Sequence, residues 1–420
     1  MARILIHTLG SSGDLNPFLA LGLELKHRGH AVRFAISPTH AAIVENLGMD
    51  AVAIGPDFDP NSDLMRKMLR PEVVGPIDTL FRNVLIPSIG PAADAIEPLA
   101  RESDIFLSHI VQLAAPVIAH RSGVKWISAT PTANCYPSRC TDAPGIAWKN
   151  PPAVINTVVW TAVRGMLSRL DGLIEEQYRL HGGPPAGNGA ILGSYSKLLT
   201  IGMWSPAFFP RPADWPEWFN LGGYARWDAP LVKGGHLVDR GSQCLPIPQG
   251  ESPLIVFTLG SSVVNDPRGY FHLAIEAVRK TDWRAVLLGA PDDFPVPAAL
   301  ATRVSAIPYA PYADLFPLAS AIVHQGGVGT TQAACYYGVP AIVVPRGFDQ
   351  FENAAHIQRN GFGLRLSHSS LSPTLLTIRI ERLLASRDIQ ENVTVLSNKM
   401  QAEGGAGASA DLIEEIVFRS

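Results

Sequence analysis

The stretch ILIHTLGSSGDLNP (4–17) runs from an apolar, β-prone segment into a glycine–serine loop, and LIVFTLGSSVVNDP (254–267) repeats the passage, with TLGSS at 8–12 and again at 258–262. Each copy follows a short apolar run and precedes a segment with helical spacing, which reads as the first strand-to-helix turn of an α/β unit. Outward from the first copy, LNPFLALGLELKHRG (15–29) spaces its apolar residues as a helix from about Asn16 and stops at Gly29. AVRFAI (31–36), DAVAI (50–54), DIFLSH (104–109) and KWISAT (125–130) then read as strands, with helical segments such as HAAIVENLG (40–48) and QLAAPVIAHRSG (112–123) between them. Outward from the second copy the plan returns, in LIVFTL (254–259), RAVLLG (284–289), RVSAI (303–307), AIVH (321–324) and AIVVP (341–345). Short buried strands alternating with helices imply parallel sheets with right-handed crossovers. The predicted fold is α/β, with two Rossmann-like, doubly wound parallel-sheet domains facing across a cleft. The expected divisions are 1–227, a Gly- and Pro-rich linker at 228–253, 254–400, and a last helical stretch within 401–420.

Bulk properties agree with two cores, since 420 residues exceed what one core usually serves. The chain is 47% hydrophobic and 17% charged with a formal net charge of -3, and its Lys and Arg are scattered, so nucleic acid is not an expected partner. No apolar run approaches the roughly 18 residues of a membrane span. MARILIHTLG lacks the apolar core and cleavage site of a signal peptide, so a cytoplasmic location is expected. Cys135, Cys140, Cys244 and Cys335 form no Cys-x-x-Cys pair and read as free thiols, although Cys135 and Cys140 stand near enough in sequence for a bridge.

In doubly wound sheets ligands bind beyond the carboxyl ends of the strands. The loop LGSSGD is not the Gly-x-Gly-x-x-Gly of a dinucleotide site, so a hydride-transfer cofactor has little support. Gly10 and Gly260 have a plain alternative role as tight-turn residues. The strongest signal is AIVHQGGVGTTQAACYYGVPAIVVPRGFDQFENAAHI (321–357). A strand ends at His324, a glycine-dense turn follows, and a helix opens near Gly329–Thr330. Backbone N–H groups and the positive end of a helix dipole then converge on one spot, which suits a diphosphate. His324 and the hydroxyls of Thr330 and Thr331 are further donors, and Asp349 with Gln350 offers the acceptor-and-amide pair that sugar hydroxyls take.

This stretch resembles the donor-binding signature of the GT-B-fold, inverting nucleotide-sugar glycosyltransferases of the UDP-glycosyltransferase family. The matching residues are His324, Gly326, Gly327, Gly329 and Thr330, then Gly338–Pro340, then Asp349–Gln350. The resemblance implies that the histidine and the glycine turn hold the diphosphate and that Asp349 and Gln350 hold the sugar. It implies that Tyr309, in IPYAPYADLF, flanks the nucleobase, and that Ser261 lines the donor site. Plant relatives carry Glu at the position of Gln332, where it binds ribose hydroxyls; an amide grips less strongly, which tilts the expectation slightly toward thymidine diphosphate donors. GSSGDLNPFLALGLELKHRGH resembles the acceptor-side first loop, including Ser12 and Gly13, with Asp14 where many relatives carry a catalytic histidine. Asp there, together with ADWPEWFNLGGY (213–224), is similar to the branch of sterol glucosyltransferases, glycopeptide-antibiotic glycosyltransferases and rhamnolipid rhamnosyltransferases. The last helix, ADLIEEIVFR, is expected to pack back on the N-terminal domain.

The chemistry at Asp14 follows from the loop it occupies. An acceptor hydroxyl attacks the anomeric carbon as the nucleoside diphosphate departs, and one base beside the nucleophile with donors around the diphosphate suffices. Aspartate, with an ordinary pKa of about 3.9, is ionised at neutral pH and takes the proton late. The plain alternative is that Asp14 caps its helix. His109 ends a strand of the first sheet and reaches the same cleft; the other N-terminal histidines, among them His7 and His30, are expected at helix ends or on the surface. Asp57 and Asp59 copy the Asp-x-Asp of metal-dependent transferases but lack a partner motif, so no metal and no cofactor are expected. Trp148, Trp160 and Trp204 either line an acceptor pocket or pack a core, the commoner role. The expected activity is transfer of glucose or rhamnose from a UDP- or dTDP-sugar to a polyphenol, sterol, triterpenoid or hydroxy-lipid. The protein is expected to act as a monomer or homodimer, with peripheral membrane contact allowed. The competing readings are a sugar-nucleotide epimerase and a non-catalytic nucleotide-sugar-binding protein.

Overall fold

The computed structural model describes residues 1–8, 12–55, 75–133, 135–141, 151–187, 193–227, 232–233, 236–237, 245–260, 267–347 and 349–418. The first sheet holds seven parallel strands: β1 (Arg3–His7), β2 (Ala31–Ile36), β3 (Asp50–Ala53), β4 (Ile105–His109), β5 (Lys125–Thr130), β6 (Thr200–Gly202) and β7 (Phe219–Leu221). Their order is β3-β2-β1-β4-β5-β6-β7. A short antiparallel pair follows, β8 (Val232–Lys233) with β9 (His236–Leu237). The rest of the expected linker between 228 and 244 lies outside the described residues. The second sheet is also all parallel, with β10 (Leu254–Thr258), β11 (Arg284–Leu288), β12 (Val304–Ile307), β13 (Ala321–His324), β14 (Ala341–Val343) and β15 (Gly363–Arg365) in the order β12-β11-β10-β13-β14-β15.

Both orders place a topological switch point beside the first strand of the sheet. In sheet one the chain turns left from β1 to β2 and right to β4; in sheet two it does so from β10 to β11 and β13. A crevice opens between loops that leave in opposite directions, and ligands settle there. The loops that edge these crevices are therefore those after β1 and β4, and those after β10 and β13. Asp14 follows the first of these strands, His109 and His324 end β4 and β13, and Thr330, Thr331 and Gln332 follow β13.

Each sheet is buried on both faces, as parallel sheets are. Ile4, Ile6, Phe34 and Leu107 pack on one face of sheet one with Phe18 and Leu21 of helix α1 (Ser12–His27), and the helix Ala406–Phe418 adds Ala410, Ile413 and Ile416 to that cluster. Arg28 anchors the same helix, with Nη1 2.6 Å from Asp411 and 2.8 Å from Glu414. Leu5, Phe106 and Ile118 face the other side. The second sheet differs in one respect. One of its faces, with Val256, Ile322 and Ala333, shares a cluster with Tyr195, Trp204, Phe208, Phe209, Trp215 and Phe219 from the end of the first sheet. The two halves thus meet through a common aromatic core. Trp204, fully buried there, donates its indole N–H to the Phe209 carbonyl at 2.9 Å. Trp160 is also buried, and Trp148 lies outside the described residues.

Two expectations change, and that of free thiols holds. His7 and His30 are buried rather than on the surface: His7 closes β1, and His30 is enclosed by Ala2 and Glu414. Cys135 and Cys140 are free thiols, not a bridge. Helix α1 opens at Ser12 instead of near Asn16, so Asp14 stands inside its first turn and does not precede it as a cap.

Candidate active site

At the carboxyl end of sheet one, α1 begins directly after the β1 loop and carries Gly13 and Asp14 in its first turn, where a carboxylate meets the helix N-terminus favourably. The side chain of Asp14 is 32% exposed, and its Oδ1 is 3.7 Å from His109 Nε2. His109 ends β4, next to β1 in the sheet, and is buried. Its Nδ1 accepts from the Val111 N–H at 3.1 Å. Burial pushes its pKa down to about 3. His7, from the neighbouring β1, donates from Nδ1 to the Ala35 carbonyl at 2.8 Å, and burial brings it to about 4. Ser12 opens α1, but its side chain lies outside the described residues, as do Ser261, Asp57 and Asp59.

At the carboxyl end of sheet two, β13 delivers His324, completely buried, at the mouth of the turn. Its Nδ1 accepts from the Gly326 N–H at 3.0 Å, and burial lowers it to about 3. The ring is therefore neutral with its proton on Nε2, and that nitrogen has no hydrogen-bond partner. Gly326 is held at φ +96°, and a Cβ there would stand 2.7 Å from Val343 Cγ1 and 3.1 Å from the Gln350 carbonyl oxygen. Only glycine fits this bend. Gly327 caps the helix Val328–Tyr336, and a Cβ at Gly329 would meet open space. Gly260, at the second TLGSS turn, presses on Gln325, so the two crevice loops of this sheet touch.

The remaining residues divide between facing the cleft and building it. Thr330 shares a 2.9 Å hydrogen bond with the Tyr312 hydroxyl, and Thr331 donates to the Gly327 carbonyl at 2.9 Å, so its hydroxyl is spent on the helix instead of a ligand. Gln350 is likewise engaged: its Oε1 accepts from the N–H groups of Arg346 and Gly347 and staples the loop before it. Gln332 is buried, and its Oε1 accepts from Ser205 N–H at 3.0 Å. Its amide thus bridges to the N-terminal half and does not present its acceptor to a ribose. Tyr309 stands 41% exposed just past β12.

Asp349 reaches the turn from the next loop. Burial first and the charge of Asp14 second push its pKa up to about 7, while Asn353 and the Val328 N–H pull the other way. The charge of Asp14, in the other domain, thus acts on Asp349. Asn353, which the sequence reading missed, binds the Gly326 carbonyl at 2.8 Å and Asp349 Oδ2 at 3.0 Å, tying the glycine turn to that carboxylate. Its signal was the i,i+4 spacing from Asp349 at the start of a helix.

Comparison with known proteins agrees with this geometry. Residues 275–415 match the family described as erythromycin biosynthesis protein CIII-like, C-terminal domain. A sterol 3-beta-glucosyltransferase of Arabidopsis thaliana is 26% identical over 97% of the chain and 67% of its own length. The O-mycaminosyltylonolide 6-deoxyallosyltransferase of Streptomyces fradiae is 27% identical over 98% of the chain and 97% of its own length. The solved structure of the glycosyltransferase VinC in complex with dTDP superposes with a TM-score of 0.73 at 17% identity, covering both chains completely; at that identity the likeness is one of fold. Among the described residues no helix is long and apolar enough to cross a membrane.

Proposed function

From the premise that this chain is a GT-B-fold glycosyltransferase of the UDP-glycosyltransferase family, we propose that it transfers a hexose or deoxyhexose from a UDP- or dTDP-sugar to a hydroxyl of a small lipophilic acceptor, with inversion and without a metal. The observation that carries this reading is that Asp14 stands at the switch-point crevice of the first sheet and Asp349, tied by Asn353 to the glycine turn, at that of the second, near enough for the charge of Asp14 to act on Asp349. One carboxylate belongs to the acceptor side and one to the glycine turn. A single displacement needs that pairing. Asp14 takes the proton of the acceptor hydroxyl as its oxygen bonds the anomeric carbon. The bond from that carbon to the diphosphate breaks, and its electron pair leaves with the phosphate into the turn, where the helix N-terminus of Val328–Tyr336 and His324 Nε2–H receive the charge. Asp349 accepts from sugar hydroxyls and orients the ring. The relatives named for sterol and tylonolide acceptors support a lipophilic aglycone. The dTDP held by VinC supports a donor with that nucleotide.

The test is mass spectrometry of reactions with UDP-glucose and dTDP-rhamnose against a mixed panel of phenolic, sterol and hydroxy-lipid acceptors, with EDTA present, for wild type and Asp14→Ala. A mass gain of one hexose or deoxyhexose, reduced at least a hundredfold in the variant, is expected. Transfer that survives in Asp14→Ala sinks the base assignment; transfer abolished by EDTA sinks the metal-free one.

A further inference from the structure

His109 stands behind the Asp14 carboxylate, and hydrogen bonding dictates which of its nitrogens carries the proton. The Val111 amide can only donate, so Nδ1, 3.1 Å from it, is the acceptor of the ring. In a neutral imidazole the proton then sits on Nε2. Neutrality follows from complete burial. Phe18 of α1 packs against the ring with 5.6 Å between centroids and restrains it from turning. Nε2 is itself buried with no hydrogen-bond partner, a costly condition for an N–H. The Asp14 carboxylate is the acceptor in front of it, at 3.7 Å. That distance exceeds a hydrogen bond. Catalytic hydrogen bonds tighten when substrate is bound.

Resting on the assignment of Asp14 as the base, we propose that His109 is a positioning residue whose Nε2–H holds one oxygen of the Asp14 carboxylate, leaving the other turned to the acceptor hydroxyl. His109 takes no proton in the reaction: Nε2 already carries one, and the lone pair of Nδ1 belongs to Val111. The proton of the acceptor passes to the outer oxygen of Asp14, and from there to the solvent that reaches this partly exposed side chain. The hydrogen bond favours the ionised carboxylate, so it keeps the base competent at lower pH. Among the described residues the other titratable groups facing this pair are His7 from β1, neutral through burial, and Asp349 from the opposite domain, which with its pKa of about 7 is uncharged over the acidic range in which Asp14 titrates.

The experiment is the pH profile of kcat and kcat/KM for wild type, His109→Phe, His109→Gln and Asp14→Asn, with nucleotide affinity and thermal unfolding showing that each variant is folded. Gln carries an amide donor with reach similar to Nε2; Phe carries none. His109→Phe is expected to lower kcat about tenfold, with little change in the affinity for nucleotide, and to move the acidic limb upward by about one unit. His109→Gln is expected to restore much of both. If Phe at this position does not fold, His109→Met, of similar length and without a donor, takes its place. Turnover retained by Asp14→Asn removes the base assignment on which the proposal rests. An inactive Asp14→Asn beside a His109→Phe with wild-type kcat and limb overturns the positioning role alone. A limb that disappears in His109→Phe makes His109 the titrating base and overturns it as well.

Discussion

Asp349 is held between demands that pull its proton in opposite directions. Its carboxylate is partly buried at the glycine turn and feels the charge of Asp14, and the two effects lift its pKa to about 7, against an ordinary value of about 3.9 in an unfolded chain. The folded protein therefore binds a proton that the unfolded chain has released, over the interval between those values. Stability from this group is complete below about pH 4 and is lost as pH rises through about 7. Asn at this position carries no such cost. Asp349→Asn should gain on wild type as pH is raised from 5 to 8, by up to about 2.5 kcal/mol, with partial solvent exposure reducing the figure. The same variant should transfer sugar at least a hundredfold more slowly, since an amide oxygen accepts weakly from sugar hydroxyls. Urea unfolding at pH 5 and pH 8 checks the first expectation, and a stability difference that stays constant between them refutes it. A site residue that is more stable without its charge is the ordinary trade between function and stability.

At the scale of elements, the helix Val328–Tyr336 joins the glycine turn to the opposite domain. Its N-terminus lies at the glycine turn, and Gln332, one turn further, accepts from Ser205 N–H. The same segment of the N-terminal half receives two other side chains. Glu403 accepts from Ser205 Oγ at 2.8 Å and Ala207 N–H at 3.0 Å, and His356 Nε2 donates to the Phe208 carbonyl at 2.6 Å. Gln332→Ala would leave the buried Ser205 N–H unpaired, a cost of about 1–3 kcal/mol. It should lower the melting temperature and leave the ratio of kcat/KM for UDP-glucose over dTDP-glucose within about threefold of wild type. A larger shift in that ratio would return Gln332 to the ribose. Here the sequence was legible to a point. Strands of four or more residues announced themselves as apolar runs, and the glycine turn was readable because its chemistry lies in consecutive backbone groups. β6, β7 and β15 have three residues each, and unlike β14, of the same length, their apolar stretch is broken by Thr200, Asn220 and Arg365. The inward turns of Gln332, Gln350 and Thr331 were hidden for another reason. Their partners are fixed by packing around the helix, not by spacing along the chain. The juxtaposition of His7, His109 and Asp14 likewise needs the pairing of β1 with β4, across about a hundred residues of chain.

Among the described residues burial lowers the pKa of four histidines, and they are spread over both domains. Burial lowers His7 and His356 to about 4 and His109 and His324 to about 3, against an ordinary value of about 6.5. At pH 5 the unfolded chain has these four protonated and the folded chain does not. Asp349 supplies one proton in the opposite sense. The net excess of three protons on the unfolded state means that stability is full above about pH 6.5 and falls as the medium is acidified, by about 4 kcal/mol per pH unit near pH 5. A fold of ordinary stability, about 5–15 kcal/mol, is exhausted within a few such units, so acid unfolding is expected above pH 3. The aromatic core shared by the two halves, with the His356–Phe208 bond inside it, argues that both domains are lost together. The helix Ala406–Phe418 adds to this, since it belongs to the C-terminal end of the chain and packs on the first domain. An acid titration followed by tryptophan fluorescence and far-ultraviolet circular dichroism should give one coincident transition, and urea unfolding between pH 6 and 5 should return a slope near three protons. Two separated transitions would mean that the shared core does not couple the domains. A slope near zero would mean that the histidines are not buried neutral in solution, and with it would go the fixed tautomers on which the roles of His109 and His324 depend.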